Sequence, residues 1–236
     1  MSEITGDSHL QSDVLEDLAS AVNYRRWLCS LAVPYLGDDP IEIGSGLGHY
    51  GAEWAPSCGA FTVSEADHSR LAALRDRFTG DERIRVRELA VPIEVNAEHS
   101  AVVAYNVLEH IPDEVAALRA FAGLIRPDGA VVLVVPAFPS AMSDFDRAIG
   151  HQRRYTKRSL ATALTDAGLR IERLHYLNAP GLPIWYGAVK LLKRRPKEGL
   201  GLTIYDRALV PVTRRVEKYV RPPFGQSVFA VARRTD

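Results

Sequence analysis

The sequence predicts an α/β fold with a mainly parallel sheet, and three observations support this prediction. Strand-like apolar runs alternate with helical segments along the chain. The run Ala130–Val135 is continuously apolar and rich in β-branched residues, as in parallel strands that are covered on both faces. A glycine-rich turn follows the first strand-like run, Ile41–Ile43, and its backbone can approach a ligand closely.

Length and composition favour a single domain. With 236 residues and 47% hydrophobic content, the chain can bury a full core. Its 29 basic and 29 acidic residues balance, so no net charge attracts nucleic acid, and none is expected as a partner. Cys29 and Cys58 form no ligand-spaced cluster and are expected to be reduced in a cytoplasmic protein. No uncharged apolar stretch approaches about 18 residues, so neither export nor a membrane span is expected.

The predicted elements follow one another in a βαβ order. Helical spacing of apolar residues predicts a first helix between Val14 and Tyr35, which Pro34 and Gly37 end. The other predicted elements are a strand at Ala60–Val63, a helix at Ser69–Phe78, strands at Ile84–Leu89 and Ala101–Asn106, a helix at Pro112–Leu124, a turn at Arg126–Gly129, a helix at Leu160–Ala167 that Gly168 ends, and strands at Arg170–Leu177 and Ser227–Ala232.

The glycine turn fits two ligand templates. Residues 42–48 read Glu-x-Gly-x-Gly-x-Gly, whereas residues 46–51 read Gly-x-Gly-x-x-Gly, which is the dinucleotide fingerprint. Glu65, at the end of the second strand, can hold the ribose of either ligand through two carboxylate oxygens. Glu42 lies inside the first strand, where an unpaired buried carboxylate costs several kcal/mol. A ligand with a positive amino group would compensate this charge, so Glu42 favours such a ligand over a nicotinamide cofactor.

Four segments in order resemble the motifs of class I S-adenosylmethionine-dependent methyltransferases. They are Ile41–Gly48, the first motif; Thr62–Glu65, the second-strand acid; Ala104–Ile111, the fourth-strand motif; and Leu124–Gly129, the turn before the fifth strand. The resemblance implies a Rossmann-like fold whose mainly parallel, seven-stranded sheet ends in an antiparallel hairpin. It also implies S-adenosylmethionine as cofactor and S-adenosylhomocysteine as product.

The resemblance implies a role for each residue of the cofactor site. The alternate glycines would pack against the methionine part and the ribose, Glu42 would order the network near the amino group, and Asn106 and Val107 would run along the methionine. Tyr24 would cover the cofactor or, like Trp27, would be a core aromatic residue. The implied set is Tyr24, Glu42, Gly44, Ser45, Gly46, Gly48, Glu65, Ala66, Leu89, Asn106 and Val107.

The adenine side departs from the family pattern. Many members carry aspartate at the end of the third strand, whereas Glu88-Leu89-Ala90 places alanine there. We expect adenine to be held by backbone and apolar contacts, or by Glu88 if the strand register differs by two residues.

Two histidines are the candidate catalytic bases, because methyl transfer to oxygen or nitrogen requires loss of a proton near neutral pH. His110 follows the fourth strand, where it could instead make a helix-entry hydrogen bond. His151 could instead stabilise its loop. It lies in a Gly-His-x-Arg-Arg-Tyr element that resembles a bacterial methyltransferase branch whose genes often lie near those of sugar-polymer and lipid biosynthesis.

The residues around His151 are candidates for substrate binding. Arg153, Arg154 and Tyr155 could clamp an acidic or sugar acceptor together with Asp146. Alternatively, they could pair with Asp144 and Asp146 in a structural cluster. No group of residues has metal-ligand spacing in the sequence, so no metal is expected.

The segment 180–223 is a basic amphipathic insert, predicted to be helical. Ten basic and three acidic residues give it a local net charge of +7 (10 − 3). Its basic face is either a solvated surface or a contact with an acidic or lipid-linked substrate or a membrane surface.

The predicted organisation is one domain, 1–236, with a covering helix at 10–36, a cofactor core at 41–136, an acceptor loop at 137–159 and the insert. The leading hypothesis is a methyltransferase, either free in the cytoplasm or peripheral at the membrane, that acts at oxygen of a small-molecule, glycan or lipid-intermediate acceptor. The alternatives are an NAD(P)-dependent oxidoreductase and a non-catalytic cofactor-binding or membrane-associated partner protein.

Overall fold

A computed structural model describes residues 10–12, 16, 20–89, 97–193 and 199–234 of the protein. The strands of this part of the chain are β1 (Ile41–Ile43), β2 (Phe61–Glu65), β3 (Ile84–Glu88), β4 (His99–Tyr105), β5 (Ile125–Pro136), β6 (Leu169–Leu177) and β7 (Ser227–Arg234). They form one seven-stranded sheet in the order β3-β2-β1-β4-β5-β7-β6. The first five strands in this order, β3, β2, β1, β4 and β5, pair in parallel with their neighbours. Strand β7 is antiparallel to both β5 and β6. The predicted fold, including its antiparallel end, is confirmed.

Helices connect the strands and cover both faces of the sheet. They are α1 (Val22–Ala32), α2 (His49–Trp54), α3 (His68–Arg77), α4 (Glu114–Leu124), α5 (Asp144–Ala148), α6 (Lys157–Asp166), α7 (Gly181–Trp185), α8 (Leu200–Ile204) and α9 (Val210–Glu217). Helices α7 and α8 each continue into a π-helical turn, at Tyr186–Leu191 and Tyr205–Leu209, so the described part of the basic insert up to Glu217 is mainly helical. No helix in the described part of the chain is long and apolar enough to cross a membrane.

Two predicted elements have different bounds in the structure. The first helix is interrupted before Val22, and residues 13–15 and 17–19 of the predicted covering helix lie outside the described residues. The predicted turn at Arg126–Gly129 lies within β5. Ile125 pairs with His99 and Ala130 pairs with Ala101, so the four residues between form a bulge opposite a single residue of β4.

The alternation of side chains along the central strands builds a core on each face. Ala101, Val103 and Tyr105 alternate with Val102 and Ala104 along β4, and all five are buried. Val102 and Ala104 pack with the buried faces of α4 and α6, whereas Val103 and Tyr105 pack with α1 and with the aromatic residues of α2 and β2. Both faces of β4 and β5 are therefore covered, which explains their continuous apolar sequence.

Strained backbone is concentrated at the carboxyl edge of the sheet. Asn106 (φ 54°), Phe138 (φ 62°) and Asn178 (φ 60°) follow β4, β5 and β6, and each has a left-handed conformation. This conformation costs a non-glycine residue roughly 1–2 kcal/mol, and such strain is typically found at functional sites. The glycine turn after β1 and the acid at the end of β2 lie at the same edge, which therefore carries the candidate site.

The insert is attached to this edge by its two described acids. Asp206 accepts hydrogen bonds from the backbone N–H groups of Asn23 and Tyr24, at the start of α1. Glu217 accepts from the backbone N–H groups of Asn178 and Ala179, directly after β6. Both acids are buried, so they are not part of the exposed surface of the insert.

Candidate functional site

The glycine turn has a backbone shape that only glycine adopts easily. Gly44, Gly46 and Gly48 have φ values of 66°, 56° and 74°. A Cβ atom at Gly44 would lie 2.8 Å from Cγ2 of Val107, so the turn also packs closely against the loop after β4. Gly48 is the residue before α2. The turn therefore brings backbone N–H groups and a close-packed surface to the carboxyl edge of β1 and β4.

Glu42 is a buried acid with an unpartnered oxygen. Its side chain is 2% exposed, and Oε2 has no hydrogen-bond partner among the described residues. Burial raises the pKa of Glu42 to about 8, and the nearby charge of Glu65 adds to this shift, whereas the Ser45 hydroxyl opposes it. A buried oxygen of this kind fits a ligand that brings a positive group to the glycine turn.

Glu65 links β2 to the glycine turn. Its carboxylate accepts hydrogen bonds from the backbone N–H groups of Gly46 (2.9 Å), Ala66 (2.9 Å) and Asp67 (3.1 Å), and from the Arg70 guanidinium (3.4 Å). With these four donors and 5% exposure, the carboxylate is largely satisfied in this conformation. A ribose hydroxyl at Glu65 would share the carboxylate with these donors or displace one of them, and the longest bond is that of Arg70.

Asn106 and Val107 lie next to the glycine turn. The Asn106 N–H donates to the Val134 carbonyl at 2.8 Å, which fixes the residue at the end of β4. Its side chain is exposed at this edge, while Val107 is half-buried against Gly44. The two residues therefore line the turn from the β4 side.

The predicted adenine side is formed by the ends of β2 and β3. The Leu89 N–H donates to the Glu65 carbonyl at 3.2 Å, and Leu89 and Ala66 are both half-buried. Glu88 points to solvent, with its carboxylate 3.7 Å from His68. Ala90 lies outside the described residues. Leu89 thus offers an apolar surface beside Glu65.

Tyr24 lies on α1, and its hydroxyl reaches Ser227 and Asn178, at the start of β7 and directly after β6. Its ring contacts the rings of Trp27 and Tyr205, with centroid distances of 6.1 and 6.3 Å. Burial raises the pKa of the Tyr24 hydroxyl, although hydrogen bonding to Ser227 and Asn178 opposes the shift. Trp27 is a core residue, whereas Tyr24 is half-buried at the junction of α1 and the insert.

On the acceptor side, Asp146 connects His151 and Arg154. Oδ1 of Asp146 lies 2.8 Å from Nδ1 of His151 and accepts two hydrogen bonds from Arg154, at 2.7 and 3.0 Å. Oδ2 accepts from the Ser143 hydroxyl and backbone N–H. Burial opposes ionisation of Asp146, but the hydrogen bonds from His151 and Arg154 outweigh it and hold its pKa below the usual range. The cluster orients the His151 ring.

The other predicted substrate residues make contacts within the protein. Arg154 is buried and also donates to the Ala137 carbonyl, and its guanidinium lies over the Trp185 ring. The buried Tyr155 hydroxyl donates to Glu114 at 2.5 Å. Arg153 lies 3.3 Å from the same carboxylate and donates to the carbonyls of the loop before α4. For Arg154 and Asp146 this geometry favours the structural cluster, whereas Arg153 and Tyr155 pair with Glu114 instead of Asp144 or Asp146.

Glu109 is a site residue that sequence reasoning did not select. It is fully buried, directly before His110, and its Oε1 lies 3.8 Å from Nε2 of His151. Burial raises the pKa of Glu109 to about 7, although the charges of His151 and Arg154 oppose the shift. Burial and the charge of His151 lower the pKa of His110 to about 3. Loops after neighbouring parallel strands meet at one edge of a sheet, but this general rule does not say which side chains of the two loops come together, so it did not single out Glu109.

One protein family matches this chain. Its sequence profile, described as a methyltransferase domain, covers residues 24–174, which is more than half of the chain and includes the glycine turn, Glu65, Glu109 and His151. No functionally curated protein matches the sequence.

Solved structures share the fold at low sequence identity. A protein in complex with the Haloferax volcanii methyltransferase activator Trm112 is 12% identical, with a TM-score of 0.64 over 98% of this chain and 99% of that chain. Geranyl diphosphate methyltransferase in complex with S-adenosylmethionine is 14% identical, with a TM-score of 0.63 over 88% and 84%. The cyclase SpnF is 16% identical, with a TM-score of 0.60 over 99% of both chains. At these identities the likeness shows the fold alone, and the fold itself does not fix the reaction.

Proposed function

The chain belongs to the methyltransferase-domain family, and we propose that it transfers a methyl group from S-adenosylmethionine to an oxygen of a small-molecule, glycan or lipid-intermediate acceptor. The observation that carries the choice of cofactor is the unpartnered Oε2 of Glu42, buried beside the glycine turn. A nicotinamide cofactor has no cationic amino group to place there, whereas the methionine part of S-adenosylmethionine has one.

The residues of the carboxyl edge fit this cofactor. Glu42 would order the network around the amino group, Glu65 would hold the ribose, and Asn106 and Val107 would run along the methionine part. Ala66 and Leu89 would line the adenine, and Tyr24 would cover the site from α1. When bound, S-adenosylmethionine would supply a methyl group on a sulfonium sulfur.

The acceptor would meet the cofactor at His151. Because Asp146 also accepts two N–H bonds from Arg154, it is an acceptor towards His151, and Nδ1 is then the donating nitrogen. A neutral His151 therefore presents an unprotonated Nε2, which can receive the proton of an acceptor hydroxyl. Arg154 and Tyr155 would act by holding this loop in place, since both are buried and already paired.

The exposed residues of the insert support the proposal that it contacts an anionic membrane surface. Its exposed basic residues are accompanied by exposed apolar side chains, with Leu191, Leu200 and Tyr219 at 68%, 76% and 81% exposure. Arg194, Arg195, Lys197 and Glu198 of the predicted basic face lie outside the described residues. Apolar groups among basic side chains favour adsorption to a surface of anionic lipid, with about 1 kcal/mol from each basic residue near the surface. Such contact would place the site near a lipid-linked acceptor.

Vesicle sedimentation tests the membrane contact. The protein should bind vesicles that contain phosphatidylglycerol and not vesicles of phosphatidylcholine alone. Arg214→Glu with Arg215→Glu should weaken binding at least about tenfold. Arg75→Glu with Arg158→Glu, the same charge change at exposed arginines outside the insert, is the matched control. Equal effects of the two pairs, or no binding by the wild type, would reject the surface.

Transfer of a labelled methyl group tests the reaction. The protein is incubated with methyl-labelled S-adenosylmethionine and a metabolite extract that contains lipids. We expect label in an extract component, and loss of labelling in Glu65→Ala and His151→Ala. Tight cofactor binding without transfer to any extract would favour a non-catalytic partner protein.

A further inference from the structure

Three side chains with metal-ligating atoms converge beside the proposed acceptor position. Glu109 and His110 lie on the turn after β4, and His151 lies on the loop after α5. One ligand atom from each of the three lies within 4.8 Å of the other two. The two imidazole rings meet edge-on, with centroids 4.7 Å apart. This separation allows the three groups to share one cation after small side-chain rotations.

The carboxylate of Glu109 lies 3.8 Å from Nε2 of His151 but accepts no hydrogen bond from the described residues. It is fully buried, and neither oxygen has a hydrogen-bond partner among them. The nearby guanidinium of Arg154 does not serve, because it donates to Asp146 and to the Ala137 carbonyl. A buried carboxylate without a partner costs several kcal/mol, and a bound cation would remove this cost.

Each of the two imidazoles is oriented by a hydrogen bond within the protein. Nδ1 of His151 lies 2.8 Å from Asp146, and a backbone hydrogen bond joins His110 to Gly150. The Asp146 carboxylate is itself fixed by Arg154 and Ser143. Ligating histidines in metal sites usually donate their second N–H to a carboxylate or a backbone carbonyl, so the support expected for a metal site is already built.

We propose that Glu109, His110 and His151 bind one divalent transition-metal ion, with Zn²⁺ as the representative ion. Two imidazoles and one carboxylate form a donor set that suits Zn²⁺ and related ions, whereas Mg²⁺ and Ca²⁺ prefer oxygen ligands alone. Three protein ligands leave at least one position open, which is the pattern of catalytic rather than structural zinc sites. The sequence did not reveal this site because its third ligand comes from a distant loop.

The ion would act on the acceptor, and this role rests on the proposed function. The open position would take the acceptor's hydroxyl oxygen and lower the pKa of that hydroxyl, so its proton could pass to solvent near neutral pH. With the ion bound, Nε2 of His151 is a ligand and not the base. The acceptor class would then be an alcohol or a pair of neighbouring hydroxyls that can bind a metal ion.

Ion binding is measured on the full chain after treatment with a chelator. Zn²⁺ is titrated by calorimetry, and Co²⁺ is followed by the visible absorption of the bound ion, both without cofactor. We expect one ion per chain. Glu109→Gln and His151→Gln should weaken binding at least about tenfold. Loss of a residue that only hydrogen-bonds to a metal ligand already weakens metal binding by about this factor, and loss of a ligand should weaken it at least as much. His68→Gln is the matched control, because His68 also lies beside a carboxylate, Glu88, but on the surface.

A second measurement shows that the variants are folded. Both variants should still unfold in one cooperative transition, and a given concentration of Zn²⁺ should raise the unfolding temperature of the wild type more than that of Glu109→Gln. Failure of both ions to bind the wild type, or unchanged affinity in both variants, would overturn the site. Absence of S-adenosylhomocysteine binding would instead reject the proposed function and leave ion binding standing.

Discussion

The backbone N–H of Gly46 donates a hydrogen bond of 2.9 Å to Oε2 of Glu65, and this bond joins the turn after β1 to the acid that ends β2. A second bond, from the Ser45 N–H to the Ser64 carbonyl at 2.8 Å, joins the same two segments. The proposed cofactor cradle is therefore held together by the protein's own contacts. Ligand binding would use a carboxylate that already positions the turn.

Glu65→Ala should weaken binding of S-adenosylhomocysteine by about 1–3 kcal/mol, because it removes charge-assisted hydrogen bonds to the ribose. Calorimetric titration measures the change. Asp67→Asn is the control: the Asp67 side chain accepts from the Arg70 N–H at the start of α3, and asparagine keeps this helix cap. Equal affinity of Glu65→Ala and the wild type would show that the ribose binds elsewhere.

Glu42→Gln should make the stability of the free protein less dependent on pH. The folded protein holds the Glu42 proton up to about pH 8, whereas the unfolded chain releases it near 4.5. Ionisation therefore destabilises the fold, and stability falls as pH rises between these values. Urea unfolding at about pH 5 and about pH 8 should show a smaller loss in Glu42→Gln than in the wild type. An equal loss would mean that Glu42 is already paired.

Glu42→Gln should also weaken cofactor binding, because the neutral amide no longer compensates the cationic amino group. The variant would thus be more stable without ligand at about pH 8 and bind S-adenosylhomocysteine less tightly. Unchanged affinity of Glu42→Gln for S-adenosylhomocysteine would show that Glu42 does not contribute to binding of the amino group.

Gly44→Ala should destabilise the fold for two reasons. The left-handed backbone costs alanine roughly 1–2 kcal/mol, and its Cβ would lie 2.8 Å from Val107. Gly168→Ala is the matched control, since Gly168 has φ 79° and an added Cβ there would have no atom within 4 Å. Chemical unfolding should show a larger loss for Gly44→Ala, and Val107→Ala should restore only the part due to the collision. Equal losses of stability in Gly44→Ala and Gly168→Ala would show that the loop after β4 moves to accommodate the added Cβ at no energetic cost.

His151→Ala should lower turnover by about 100-fold or more while cofactor affinity changes little, because we propose that His151 acts on the acceptor and not on the cofactor. Single-turnover rates with a saturating methyl donor, beside calorimetric affinities, separate the two effects. A loss confined to cofactor affinity would assign His151 to the cofactor pocket.

The sequence allowed the fold to be predicted, with a glycine turn after β1 and an acid at the end of β2, because local signals determine these features. Glycine spacing, the acid that ends β2 and the apolar runs of β4 and β5 are each read within a few residues. The bulge in β5 was mistaken for a separate turn, since Pro127 and Gly129 indicate a chain reversal whether or not the flanking residues stay in the strand.

The contacts on the acceptor side could not be predicted because they depend on how loops pack. Arg154 is exposed or buried according to the path of the loop after α5, and only the structure shows that it is paired with Asp146. Likewise, Glu109 and His151 are far apart in sequence, and spacing alone gave no reason to expect a shared site. Side-chain proximity between loops is a tertiary property that residue patterns do not encode directly.

Calorimetric titration of the purified protein with S-adenosylhomocysteine and, separately, with NADPH and NAD tests the central claim most directly. The unpartnered Oε2 of Glu42 beside the glycine turn predicts binding of S-adenosylhomocysteine at one site per chain and no binding of either nicotinamide. Binding of a nicotinamide cofactor without binding of S-adenosylhomocysteine would contradict it.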